Sequence, residues 1–386
     1  MVFREHVGLH FLPLWLPVVS IGLSFYIIRG IGYLIDVYKD ASKTESQFTT
    51  FALYISFFGH LPAGPITPWK VFKQQVEARQ LTRPDQWYNG IFLFSKGLLK
   101  KTSANFIGWW INPVIDVIPS ISTADSWMVL FGYSVQIYLD FSGYTDMARG
   151  VGKLVGIDLP ENFIRPYSKR NLIDFWNTWH ITLSHWLRDY LFVPLGRALF
   201  KWPVLRRVPL GIASICYLIT FTICGVWHGL TPTFLVWGVY HGIGLSGCKI
   251  YGNVARRRFS ETYFHVMFNT LFGRLIATGG TFLFVSIGWV FFRSETMAQA
   301  LDWLSVLLGS NGVKTFETHM DLAWVLLGSV ILTWVLNRLD GPIEQLKIWQ
   351  QVALFLTLVI LILYYIGTLF YSSMSGDLSS SPFIYR

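Results

Sequence analysis

Between Pro209 and Gly229 the chain reads PLGIASICYLITFTICGVWHG. From Pro209 to Trp227 no residue is charged. A run of roughly 18 such residues is enough to cross the hydrocarbon core of a bilayer as a helix. His228 ends the run, set between Trp227 and Gly229. The flanks orient it. Arg197, Lys201, Arg206 and Arg207 precede it with no acid among them. After it, a short turn at residues 230–233 leads into a second apolar run, which ends before Arg256, Arg257 and Arg258. Two spans joined by a short turn bring the chain back to the side it left. Both basic loops therefore share one face, and the positive-inside rule makes that face cytoplasmic. His228 is carried toward the opposite face, or to mid-depth where the helices are short or tilted.

The rest of the chain repeats the pattern. Of its 386 residues, 53% are hydrophobic and 14% charged, against about a quarter charged in soluble domains. Aromatic content of 17%, with 17 Trp, suits belts at the headgroup level. The net charge of +9 sits between apolar runs, as topology requires, and is not read as a nucleic-acid surface. The expectation is an all-α polytopic membrane protein, a single domain over residues 1–386. About nine spans are expected, near residues 9–35, 48–69, 91–118, 127–147, 209–227, 234–250, 264–292, 322–336 and 352–371. A break is foreseen near Asn112-Pro113. The first run lacks a small-residue cleavage site, so insertion is expected to rely on the spans. No internal repeat is visible. From Gly59 to Pro68 three prolines and two glycines fall within ten residues. Such backbone cannot continue a regular helix, and at membrane depth it needs protein or water to cover it. A re-entrant or cavity-lining segment is expected, with an interfacial turn as the alternative.

Residues 140–189 hold 12 charges in 50 positions, within a polar insert over 140–192. From Asn171 to about Phe192 aromatic and apolar residues recur every three or four positions. Trp176, Trp179, His180, Leu183, Trp186 and Leu187 share one face; Asn177, Thr182, His185, Arg188 and Asp189 share the other. One amphipathic in-plane helix is predicted, capped by Asn171 with Asp174 in its first turn. A histidine on an apolar face is more often structural than catalytic, and His180 stays open between the two. His185 reads as solvated and His241 as a helix-packing residue. His228 is the stronger candidate, because an ionisable residue at membrane depth is costly and marks function by default. Imidazole is also the natural proton acceptor near neutral pH. Phosphate-loop, zinc-helix and nucleophile-elbow motifs do not occur. No metal is expected. Cys216, Cys224 and Cys248 read as small buried hydrophobes.

Several ordered motifs resemble those of the membrane-bound O-acyltransferase family. They are Asp140-Phe141-Ser142-Gly143-Tyr144-Thr145-Asp146, Pro160-Glu161-Asn162-Phe163 with Arg165-Pro166-Tyr167, and Asp174-Phe175-Trp176-Asn177-Thr178-Trp179-His180 followed by Trp186-Leu187-Arg188-Asp189-Tyr190. Trp227-His228-Gly229 and, upstream, Ala63-Gly64-Pro65-Ile66 complete the set. Within the family the chain is most similar to the branch that acetylates bacterial polysaccharides such as alginate. It is also similar to the branch that D-alanylates teichoic acid. Members of the alginate branch carry further spans ahead of the region matching residues 16–39, so a compact variant is expected.

The resemblance implies a fold built around a central tunnel or funnel. It implies His228 as the catalytic histidine and His180 as the second. Trp176, Asn177, Trp179, Arg188, Asp189 and Trp227 are expected to line the tunnel or support the site. No permanently bound cofactor is implied; the donor is acetyl-coenzyme A or an acyl-carrier thioester. The implied partners are membrane lipid, an extracytoplasmic acetyltransferase or polysaccharide acceptor, and a possible acyl-carrier protein, at the bacterial cytoplasmic membrane. D-alanyl transfer from a carrier protein, or a non-enzymatic transporter or scaffold, are the alternatives.

Overall fold

The computed structural model describes residues 22–41, 44–61, 63–78, 84–258 and 270–312, with Gly328. The described residues are helical. Their one β feature is an isolated antiparallel bridge between Phe163 and Trp179. In chain order the helices are α1 (Leu23–Lys39), α2 (Phe48–Ser56), α3 (Trp69–Ala78), α4 (Pro84–Ile115), α5 (Thr123–Leu154), α6 (Leu172–Trp176), α7 (Ile181–Leu187), α8 (Val193–Phe200), α9 (Pro203–Arg206), α10 (Pro209–His228), α11 (Pro232–Arg258), α12 (Leu271–Arg293) and α13 (Met297–Leu307).

Local chemistry sets many of these limits. Side chains of Ser122, Asn171, Thr270 and Thr296 accept the N–H groups of Asp125, Asp174, Gly273 and Gln299, which caps α5, α6, α12 and α13. Proline opens α8, α9 and α10, where its missing N–H is not needed.

Among the described residues two helices, α10 and α12, are long and apolar enough to cross a membrane. The predicted run 209–227 is α10, and 234–250 lies within α11, which reaches Arg258. Helices α4 and α5, 32 residues each, contain the runs 91–118 (to Ile115) and 127–147. The break foreseen at Asn112-Pro113 does not occur. Pro113 lies inside the last turn of α4. Helices α4 and α5 bury charges within a contact that is otherwise largely apolar. Lys100 Nζ lies 2.7 Å from Asp146 Oδ2, Lys96 Nζ lies 3.4 Å from it, and Arg149 approaches the other Asp146 oxygen at 3.6 Å. Lys101 pairs with Asp140. Two glycine pairs let the backbones close on these charges. A Cβ on Gly97 would overlap the Gly143 carbonyl, and one on Gly150 would overlap that of Gly90.

The predicted span 48–69 is corrected. Its helix stops after nine residues, at Ser56. A 3₁₀ turn over Phe58–His60 follows, and Gly64, Pro65, Ile66 and Thr67 then run buried and non-helical. Protein covers this backbone, as its composition requires. Arg29 of α1 donates through Nη1 to the Tyr54 carbonyl at 2.9 Å and to His60 Nδ1 at 2.5 Å. His60 Nε2 faces Thr67 Oγ1 at 3.0 Å. The first and seventh predicted spans are described only from Leu23 and from Leu271 onward. The runs 322–336 and 352–371 lie outside the described residues, so a total of nine spans is not reached from them.

Candidate active site

The amphipathic helix predicted from Asn171 to Phe192 is in fact broken. α6 ends at Trp176, α7 begins at Ile181, and a π turn over Arg188–Phe192 leads into α8. His180 stands at the break with φ 44° and ψ 54°. A side chain with Cβ adopts this left-handed conformation at a cost of roughly 1–2 kcal/mol. Contacts from the segment 162–164 hold it there. Ile164 N–H donates to the Thr178 carbonyl and Ile181 N–H to the Asn162 carbonyl, each at 3.0 Å. The predicted face assignment fails at Thr182, which is buried.

The His180 ring is 3% exposed. The Phe141 ring meets it edge-on at 4.7 Å, and Nδ1 lies 3.2 Å from Asn162 Oδ1. Nε2 is buried and has no hydrogen-bond partner. Burial, and secondly the charge that His228 can carry, push the His180 pKa down to about 3.

His228 closes α10, and Gly229 continues in an extended conformation. Its ring is walled by Trp227, Phe292, Trp237 and Phe234, with centroids at 4.7, 5.0, 5.3 and 6.1 Å. The residue is half-buried. Among the described residues no hydrogen bond holds its ring nitrogens. Trp227 packs against Phe25 of α1 at 5.6 Å, and its indole N–H is buried without a partner.

The remaining candidates divide. Trp176 is buried beside Phe221 at 4.7 Å and donates its indole N–H to His241 Nδ1 at 3.3 Å. Trp179 stacks on Phe175 at 5.6 Å and packs on Trp289 at 5.1 Å. Both are walls of the core that carries the histidines. Asn177 is exposed and serves through its backbone as the C-cap of α6. Arg188 and Asp189 are also exposed and pair with each other at 2.8 Å. Asp189 lines a surface depression of about 350 Å³ with Lys39, Arg197 and Lys201. The structure thus does not bring Asn177, Arg188 or Asp189 to the imidazoles. Three contributors lacked a sequence signal of their own: Asn162, Trp237 and Phe292. Only the motif around Asn162 drew attention to it. Cys216 and Cys224 are buried free thiols and Cys248 is partly buried. Among the described residues no three His, Cys, Asp or Glu side chains gather as metal ligands.

The described residues form a helical fold that holds His180 and His228 each within aromatic walls. The chain belongs to the MBOAT, membrane-bound O-acyltransferase family, whose model matches residues 36–285. It is 35% identical to the peptidoglycan O-acetyltransferase of Helicobacter pylori, over 79% of this chain and 59% of that protein. It is 35% identical to a probable alginate O-acetylase of Pseudomonas fluorescens, over 78% and 56%. With the teichoic acid D-alanyltransferase of Bacillus subtilis it shares 32% identity, over 58% and 57%. The chain thus spans less than two thirds of the length of these curated relatives.

Proposed function

We propose that this chain transfers an acyl group, most simply acetyl, from a cytosolic thioester to a hydroxyl acceptor outside the cytoplasmic membrane of a bacterium. The acceptor is a polysaccharide or a partner transferase that serves one. The donor is acetyl-coenzyme A or an acyl-carrier thioester. His228 is the general base. It takes the proton from the acceptor hydroxyl as the oxygen bonds to the thioester carbonyl carbon. The carbon–sulfur bond then breaks, and the departing thiolate takes the proton from the imidazolium. A passage through the protein, with His180 nearer the cytoplasmic side and His228 deeper, belongs to this proposal.

One observation carries the reading. The His228 imidazole ends an apolar helix, remains half-buried, and has no hydrogen-bond partner among the described residues. A structural histidine in such a setting would use its ring nitrogens; this one leaves them for an incoming group. Acetyl is favoured over D-alanyl because the two O-acetylating relatives match a larger share of the chain, 79% and 78% against 58%.

Membranes bearing the chain, with any partner it requires, are given acetyl-labelled coenzyme A or a D-alanyl carrier protein. Acceptor labelling from the acetyl donor is expected, and His228→Ala should lower it by about 10²–10⁴-fold with unchanged membrane content. Equal labelling by His228→Ala would remove His228 from the mechanism. Labelling from the D-alanyl carrier alone would replace acetyl by D-alanyl.

A further inference from the structure

Asn162 lies in the segment that clamps the left-handed turn at His180, and its side chain has one possible orientation. Thr182 N–H points at Oδ1 from 3.1 Å. A backbone N–H only donates, so the amide oxygen, not the NH₂ group, must face it. The same oxygen is 2.9 Å from Thr182 Oγ1 and 3.2 Å from His180 Nδ1. Thr182 Oγ1 also receives the N–H of Ile66, from the broken segment, at 3.0 Å.

These directions set the proton on His180: three donors share the two lone pairs of Oδ1, and the Asn162 NH₂ group is buried without a partner. The Ile66 N–H occupies a lone pair of the Thr182 hydroxyl, whose own proton goes to Asn162 Oδ1. An amide oxygen cannot donate, so His180 Nδ1 must carry hydrogen. The lone pair of the neutral ring is then on Nε2, which is buried and unpartnered. Leaving a buried acceptor unsatisfied costs about 1–3 kcal/mol. The opposite tautomer would leave a buried Nε2–H just as unpartnered, so the choice between the two is made at Nδ1.

We infer that Asn162 is a positioning residue that holds His180 as the Nδ1–H tautomer and so presents the Nε2 lone pair to a hydroxyl donor arriving with the acyl acceptor. Thr182 and the Ile66 N–H keep the amide from rotating. This rests on the acyl-transfer reading for the identity of the hydroxyl, but the tautomer does not depend on it.

The test is ¹⁵N NMR of the whole protein labelled at histidine in lipid nanodiscs, with the His180 signals assigned by their loss in His180→Gln. Wild type should show a protonated Nδ1 and an unprotonated Nε2. Asn162→Asp keeps an acceptor oxygen at the ring, so Nδ1 should stay protonated. Asn162→Leu should lose the wild-type pattern, and acyl transfer should fall by about 10²-fold, as misplacement of a group that orients a reactant costs. A protonated Nε2 in wild type would overturn the inference. So would an unchanged pattern in Asn162→Leu. Should Asn162→Leu fail to fold, the wild-type pattern and a protonated Nδ1 in Asn162→Asp still decide. Because the tautomer is read spectroscopically, it stands or falls whether or not the membranes transfer acetyl groups.

Discussion

The Trp237 ring lies against two histidines at once, with centroids 5.3 Å from His228 and 5.0 Å from His241. On its far side His241 Nδ1 takes the indole N–H of Trp176 at 3.3 Å. A motif residue from the polar insert is thereby tied to the helix that backs His228. In Trp176→Phe the aromatic wall persists but buried Nδ1 loses its donor. Thermal unfolding in detergent should show a loss of about 1–3 kcal/mol, with acyl transfer per folded molecule falling much less than in His228→Ala. A drop in activity equal to that of His228→Ala, at unchanged stability, would place Trp176 in the chemistry instead.

His180 makes stability depend on pH. Its pKa is pushed from 6.5 to about 3 by burial first and by His228 second. The unfolded chain therefore binds a proton between those values that the folded chain refuses. Stability is undiminished above pH 6.5 and declines as pH falls toward 3. His180→Gln lacks the titration, so its melting temperature should decline less steeply than that of wild type across this window. Parallel curves would mean that the imidazole takes up its proton without penalty.

The exposed pair formed by Arg188 and Asp189 separates pattern from site. The family resemblance made both candidates, yet both side chains are exposed and pair with each other. Exposed ion pairs contribute about 0–1 kcal/mol. Arg188→Ala should leave stability within that range and reduce acyl transfer less than tenfold in the membrane assay. A loss as large as that of His228→Ala would show that the surface beside Lys39, Arg197 and Lys201 takes part in turnover.

Features written in consecutive residues were legible in the sequence. The apolar run before His228 became a single helix, the Asn171 cap was placed correctly, and the proline-rich segment after Gly59 broke the backbone. What failed depended on distant partners. Periodicity carried a helix straight through residues 177–180, because Trp176 and Trp179 both face the core. It could not register that residues 162–164 would seize that stretch and turn His180 left-handed. Asn162 was visible only within a motif, since its worth comes from Thr182 and His180, 20 and 18 residues away. Arg29 and His60, 31 residues apart, meet for the same reason.

The cluster between α4 and α5 offers the sharpest energetic test. Lys96, Lys100 and Arg149 converge on Asp146, and the lysines and the carboxylate are each less than a tenth exposed. Removing one member of a buried pair leaves the opposite charge uncompensated and costs about 3–5 kcal/mol, whereas exchanging the charges together for apolar groups is often close to neutral. Asp146→Leu should therefore unfold far more readily than wild type, because the buried Lys100 ammonium loses its carboxylate. Lys100→Met alone should be milder, since Lys96 and Arg149 still balance Asp146. The combination Asp146→Leu with Lys96→Met and Lys100→Met should recover most of what Asp146→Leu loses, as melting in detergent would report. Equal losses for the single and combined variants would mean that the lysines find other anions or water, and that Asp146 does not act as their counter-charge between these helices.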